Sequence, residues 1–189
     1  MQKGRVGDEV QRSLLSSPIT RREWLVGSVA LIGGLAWPYR GALAEPPYVL
    51  PEATEKALRE SPLIYVSPLR SDGQESRCHG EVWFFEDAGD PVIFTARDRW
   101  KATAIRDGLN RARVWVGDAG RVRWSGDRFR KEPTFLAAAS IDQRPEVFEK
   151  LMTRYAKRYA DEWGKWGPRF QKGWDDGTRV MIRHTPIGA

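Results

Sequence analysis

The chain has 189 residues, with 31 Lys and Arg against 25 Asp and Glu, a formal charge of +6, one cysteine and two histidines. A single cysteine excludes an intrachain disulfide, and Cys78, His79 and His184 are too few and too badly spaced for a zinc-type site. Six of the basic residues and three of the acids fall in residues 1–44, so residues 45–189 carry 25 basic and 22 acidic residues, or +3. That balance argues against a nucleic-acid-binding domain.

The first 20 residues are polar and basic, and residues 24–37 form a run of fourteen without a charge. Fourteen helical residues span about 21 Å, short of the ~30 Å hydrocarbon core. With Ala42-Leu43-Ala44 behind it, the run reads as a cleavable export signal rather than an anchor or an amphipathic helix. Thr20-Arg21-Arg22-x-Trp24-Leu25 resembles the twin-arginine signal. The resemblance implies export by that machinery, a periplasmic or other extracytoplasmic location, and one mature domain over 45–189.

Within that domain a Pro-rich lead-in precedes a short helix at 52–60, stopped by Pro62. A strand is predicted at 63–67, a turn at 70–76 around Asp72-Gly73, and a strand at 77–86. Cys78 and His79 would then point to opposite faces of that strand, which rules out their acting as a nucleophile–base pair. Asp87–Asp90 reads as a hairpin loop and 91–95 as the next strand. The period changes to helical over 97–107 and returns to two over 111–117. A turn at 118–120 leads to a strand at 121–125, and another strand covers 134–141. The longest helix runs 145–163, with Pro145 in its first turn. Residues 164–177 read as a Trp/Gly-rich loop, either a stacking wall over a planar ligand or a dimer contact, and 178–185 as the closing strand. Short turns make neighbouring strands antiparallel, and closure into a barrel removes exposed edges. The expected fold is mainly β (α+β), a small antiparallel barrel with two packed helices.

The chemistry concentrates where the strand ending in Thr95 meets a helix whose start holds Arg97, Arg99 and Lys101. Cations are disfavoured at a helix N-terminus. They fit there if a phosphate lies between them, with Thr95 donating, an arginine forking and Lys101 supplying charge. A solvated basic helix face is the plain alternative.

Glu81-Val-Trp-Phe-Phe, Val92-Ile-Phe-Thr, Trp100-Lys101 and Ala112-Arg-Val-Trp-Val116 resemble the FMN-binding split-barrel superfamily of pyridoxamine-phosphate-oxidase-like and F420-dependent oxidoreductases. Asp142 with Tyr155-Ala-Lys157-Arg-Tyr159, and the strand before Thr185-Pro186, extend the likeness over about residues 60–187. The resemblance implies an antiparallel split β-barrel with two or three packed helices, and a homodimer holding a flavin-type cofactor at its interface, FMN or alternatively F420. Thr95 and Lys101 would touch the phosphate, with Arg77 a phosphate or ring contact. Trp83 would lie under the ring or in the barrel core. Trp100 departs from the small polar residue usual in relatives. The implied activity is flavin-dependent oxidoreduction of a small molecule. A non-catalytic haem module would use His79 or His184 as axial ligand, and a barrel that only assembles through its Trp-rich loop would use neither.

Overall fold

The computed structural model describes residues 48–188; the predicted leader and residues 45–47 lie outside the described residues. The elements are α1 (Glu52–Glu60), β1 (Leu63–Pro68), β2 (Gly80–Val82), β3 (Phe84–Asp87), β4 (Asp90–Ala96), α2 (Trp100–Arg106), β5 (Arg111–Gly117), α3 (Val122–Ser125), β6 (Thr134–Asp142), α4 (Pro145–Arg158), α5 (Ala160–Asp175) and β7 (Arg179–Ile187). A 3-10 turn covers Gly126–Lys131. The seven strands form one sheet in the order β2-β1-β5-β6-β7-β4-β3. Every recorded pairing is antiparallel.

The two edge strands, β2 and β3, are consecutive in the chain and separated only by Trp83. One segment therefore leaves β1 at Val82 and joins β4 at Phe84. The sheet is thereby wrapped into a nearly closed barrel, and this α+β fold is the antiparallel barrel the sequence predicts. Among the described residues it carries five α-helices, where two or three were expected.

Strand alternation sorts the side chains into two layers. Ile64, Val66, Ile93, Val114, Val116, Phe135, Ala137, Val180 and Ile182 form the inner core, joined by Leu58 of α1 and Ala102 of α2. Phe85, Val92, Phe94 and Met181 face the other way, onto Phe148, Leu151, Tyr155 and Tyr159 of the α4 region and Phe170 of α5. A third cluster sets Tyr65 and Trp115 against Phe129 of the 3-10 turn.

Five sequence expectations need correction. The helix expected over 97–107 is α2, which begins at Trp100, so Arg97 precedes it and Arg99 is its N-cap. Residues 77–79 precede β2 and are not part of it, so strand geometry says nothing about Cys78 and His79. The strand expected at 121–125 is a single helical turn, in which Val122 packs inward and Trp124 stays exposed. The long helix ends at Arg158, because Tyr159 takes φ −121° and ψ 42°, and α5 starts anew. The Trp/Gly-rich loop is that helix, Pro168 included. Two of its glycines, Gly167 and Gly173, serve close approach. A Cβ on Gly167 would stand 2.9 Å from the Trp163 ring, and one on Gly173 would stand 2.5 Å from Arg179 Cδ.

Candidate functional site

The β4–β7 ladder ends at Ala96 opposite Arg179, and beyond it the Arg97 amide donates to the Thr178 carbonyl at 2.8 Å. This junction places Arg97 and Arg99, on the way into α2, beside the start of β7. Asp176 shapes the approach from α5 by accepting from the amide and hydroxyl of Thr178 at 3.0 and 2.6 Å. Gly177 turns there with φ 67°.

Arg179 lies half-buried against aromatic rings. Its guanidinium sits 5.2 Å from the Phe170 centroid and 6.0 Å from that of Trp166. Arg169 covers Trp166 from 5.4 Å. The Arg179 guanidinium is held below its ordinary pKa, first by burial and then by the like charges of Arg169 and Arg99. Among the described residues, no carboxylate forms an ion pair with Arg97, Arg99, Arg169 or Arg179. Like charges gathered without a counter-ion raise the local potential and favour an anion. A cleft of about 220 Å³ opens here between Arg97, Trp174, Gly177 and Arg179, with Asp142 and Gln143 on its wall.

Lys101 turns away from this face. Its ammonium lies over Gly80, 3.6 Å from where a Cβ would stand, and Gly80 is in register with Val66 of the inner core. Burial is the main cause that lowers its pKa; Cys78 and Glu81 oppose the shift, and Arg99 adds to it. Arg99 thus acts electrostatically on both Lys101 and Arg179. Thr95 is half-buried opposite Val180, on the face of Ile93. Arg97 and Arg99 are exposed. Of the six residues singled out from sequence, Arg97 and Arg99 converge on the arginine cluster, and Thr95 and Lys101 stand on its inner side.

Arg77 is exposed ahead of β2. Trp83 belongs to the helix-covered layer rather than to the inner core. Its ring stacks on Tyr159 at 4.1 Å and 4° and meets Trp166 and Phe170 edge-on at 6.2 and 6.0 Å. It therefore supports the aromatic wall from beneath. Sequence reasoning missed Arg169 and Arg179. The spacing of Trp163, Trp166, Phe170 and Trp174 follows a helical face and would have put Arg169 on a helix, but not beside Arg97.

The two histidines differ in access. His184 is fully enclosed on the inner side of β7, in register with Ala139. Burial drives its pKa down to about 4, helped by Lys101 and opposed by the backbone of Pro91. His79 is half-buried, with its ring 5.4 Å from Phe129. Among the described residues, no three His, Cys, Asp or Glu side chains converge as a metal-ligand set.

No family model and no curated protein matches the sequence. Solved structures give matches at the level of fold. The haem storage protein HutZ from Vibrio cholerae matches with a TM-score of 0.49 at 11% identity, covering 71% of this chain and 88% of that one. A putative pyridoxamine 5'-phosphate oxidase from Listeria innocua matches with a TM-score of 0.48 at 14% identity, over 71% and 90% of the two chains. An F420 reductase matches with a TM-score of 0.46 at 20% identity, over 74% and 97%.

Proposed function

We propose that the domain binds a phosphorylated flavin-type nucleotide, FMN, and acts as a flavin-dependent oxidoreductase on a small molecule. The observation that carries this reading is the unpaired cluster of Arg97, Arg99, Arg169 and Arg179 beside the Trp166–Phe170 wall. Guanidinium groups without carboxylate partners suit a phosphate, which they grip in bidentate fashion. The adjoining aromatic faces suit a planar ring. Arg99 and Arg179 would hold the phosphate. Trp166 and Trp174 would bound the ring, with Trp83 and Phe170 behind them. When bound, the flavin would supply the redox chemistry, while the protein orients it and shapes the substrate space. F420 offers the same phosphate and planar ring to the same residues, so it stands as the alternative.

A cleft of about 220 Å³ is small for a whole nucleotide, since cofactor sites usually exceed about 300 Å³. A second copy of the chain facing this cleft would complete it, which supports the homodimer. Loading with a nucleotide in the cytoplasm also accords with a twin-arginine leader, a route for proteins that fold before they cross. Replacing Arg21 and Arg22 by lysine would then abolish export.

The test is an absorption spectrum and mass analysis of protein isolated from its exporting host, with FMN and F420 titrations of the stripped protein. A flavin or deazaflavin spectrum with saturable rebinding is expected. Colourless, folded protein that binds neither would overturn the proposal.

A further inference from the structure

A second basic surface lies on the segment between β5 and β6, away from the residues assigned above. Trp124 of α3 is 73% exposed, while its neighbours in the chain are anchored. Val122 packs against the Tyr65–Trp115–Phe129 cluster, and Phe129 is fully buried, stacked on Tyr65 at 5.0 Å and edge-on to Trp115 at 5.0 Å. The start of α3 is tied down by the Val122 amide, which donates to Glu81 Oε2 at 3.1 Å. The segment is therefore fixed, while the large apolar ring of Trp124 is left in water.

The charge around that ring is one-sided. Residues 120–132 hold Arg121, Arg123, Arg128, Arg130 and Lys131 against Asp127 and Glu132, a balance of +3. That equals the whole excess of residues 45–189, where 25 basic residues face 22 acidic ones. Arg130 is neutralised by Glu75 and Asp127. Arg121, Arg123, Arg128 and Lys131 are exposed and form no ion pair among the described residues. The Arg121 guanidinium lies 5.2 Å from the Trp124 ring centroid.

We infer that this surface docks on an anionic phospholipid bilayer, with Trp124 entering the headgroup layer and the four free cations contacting lipid phosphates. Tryptophan favours that interface because its ring is apolar and its N–H is wet. Basic residues next to it add attraction to acidic lipid. A single aromatic fits a bilayer better than single-stranded nucleic acid, which takes successive aromatics along a groove. A second copy meeting this surface isologously would set like charges together.

The test uses the full chain with vesicles of phosphatidylglycerol and phosphatidylcholine, and with vesicles of phosphatidylcholine alone. Binding through the apolar run at residues 24–37 contributes equally in every variant. Combined Arg121→Glu, Arg123→Glu and Arg128→Glu substitutions should weaken binding to the acidic vesicles at least about tenfold and leave binding to the neutral ones unchanged. Brominated phosphatidylglycerol should quench the wild-type fluorescence more than that of Trp124→Phe. Three results would overturn the proposal: unchanged acidic-vesicle binding with equal quenching, an oligothymidylate that displaces the vesicles and itself depends on the same arginines, or a Trp124→Ala change in oligomeric state.

Discussion

The amide of Phe84 donates to the hydroxyl of Tyr159 at 3.1 Å, and that hydroxyl lies 2.7 Å from the carbonyl of Pro62, to which it donates. The contact spans the seam where Val82 leaves β1 and Phe84 joins β4. Tyr155 does the same one position earlier, its hydroxyl donating to the Trp83 carbonyl at 2.7 Å. Two side chains from the α4 region thus supply bonds that a neighbouring strand would otherwise make. Burial pushes the Tyr159 hydroxyl up to about 12, so it stays a donor at any ordinary pH.

Tyr159→Phe should therefore cost about 1–3 kcal/mol, because it strands a buried amide rather than merely deleting a bond. The ring remains to stack on Trp83, so the loss isolates the hydroxyl. Urea unfolding measures it directly. A loss below about 0.5 kcal/mol, within the usual effect of a surface change, would mean that water closes the seam as well as tyrosine does.

Acid should destabilise the domain in two separate windows. His184 stays neutral down to about 4 in the fold, while the unfolded side chain takes a proton near 6.5. The unfolded state therefore binds more protons between those values, and stability falls as pH drops through them, by about 3 kcal/mol. Asp142 keeps its charge to about 2 against an ordinary 3.8, held mainly by Arg144 and also by Arg183. The stability it contributes is full above 3.8 and is lost as pH falls to about 2. His184→Gln should flatten the upper window and Asp142→Asn the lower one, read from unfolding free energies across pH. A single transition that both variants shift alike would contradict this assignment.

The clearest failure of the sequence lies at residues 164–177. Gly164, Gly167, Pro168 and Gly173 are helix breakers by propensity, and so the stretch reads as a loop. Packing decides otherwise: Gly173 admits the stem of Arg179 from β7, and Gly167 leaves room for the Trp163 ring one turn earlier on the same helix. The error at 121–125 is of another kind. Val122 and Trp124 alternate with arginines, and over five residues one helical turn mimics period two. The barrel strands were legible because inner and outer residues alternate, as in Phe135, Ala137 and Ala139. Arg97 and Arg99 stood out in sequence as cations expected at a helix start, and they lie just ahead of α2. Their partners Arg169 and Arg179 come from distant segments, and no spacing along the chain announces that meeting.

Arg179→Lys should weaken FMN binding about 10- to 100-fold, because an ammonium cannot form the paired bonds of a guanidinium on phosphate. Flavin fluorescence quenching during titration gives the affinity. The fold should hold, since lysine keeps an aliphatic stem against Gly173. Equal affinity for wild type and variant would remove Arg179 from the phosphate contact.

Gly173→Ala separates position from charge at the same residue. An added methyl would stand 2.5 Å from Arg179 Cδ and 2.7 Å from Cγ. Either α5 lifts from the sheet or the arginine stem swings off Phe170. Helix propensity alone would favour alanine by about 1 kcal/mol, so any loss of stability measures the clash, expected at about 1–3 kcal/mol. FMN affinity should fall with it although every cation is retained, and Gly164→Ala, with open space around it, should stabilise the same helix and leave affinity unchanged. If Gly173→Ala stabilises the domain to the same extent and binds FMN as well, then the close packing of α5 on Arg179 does not position the arginine.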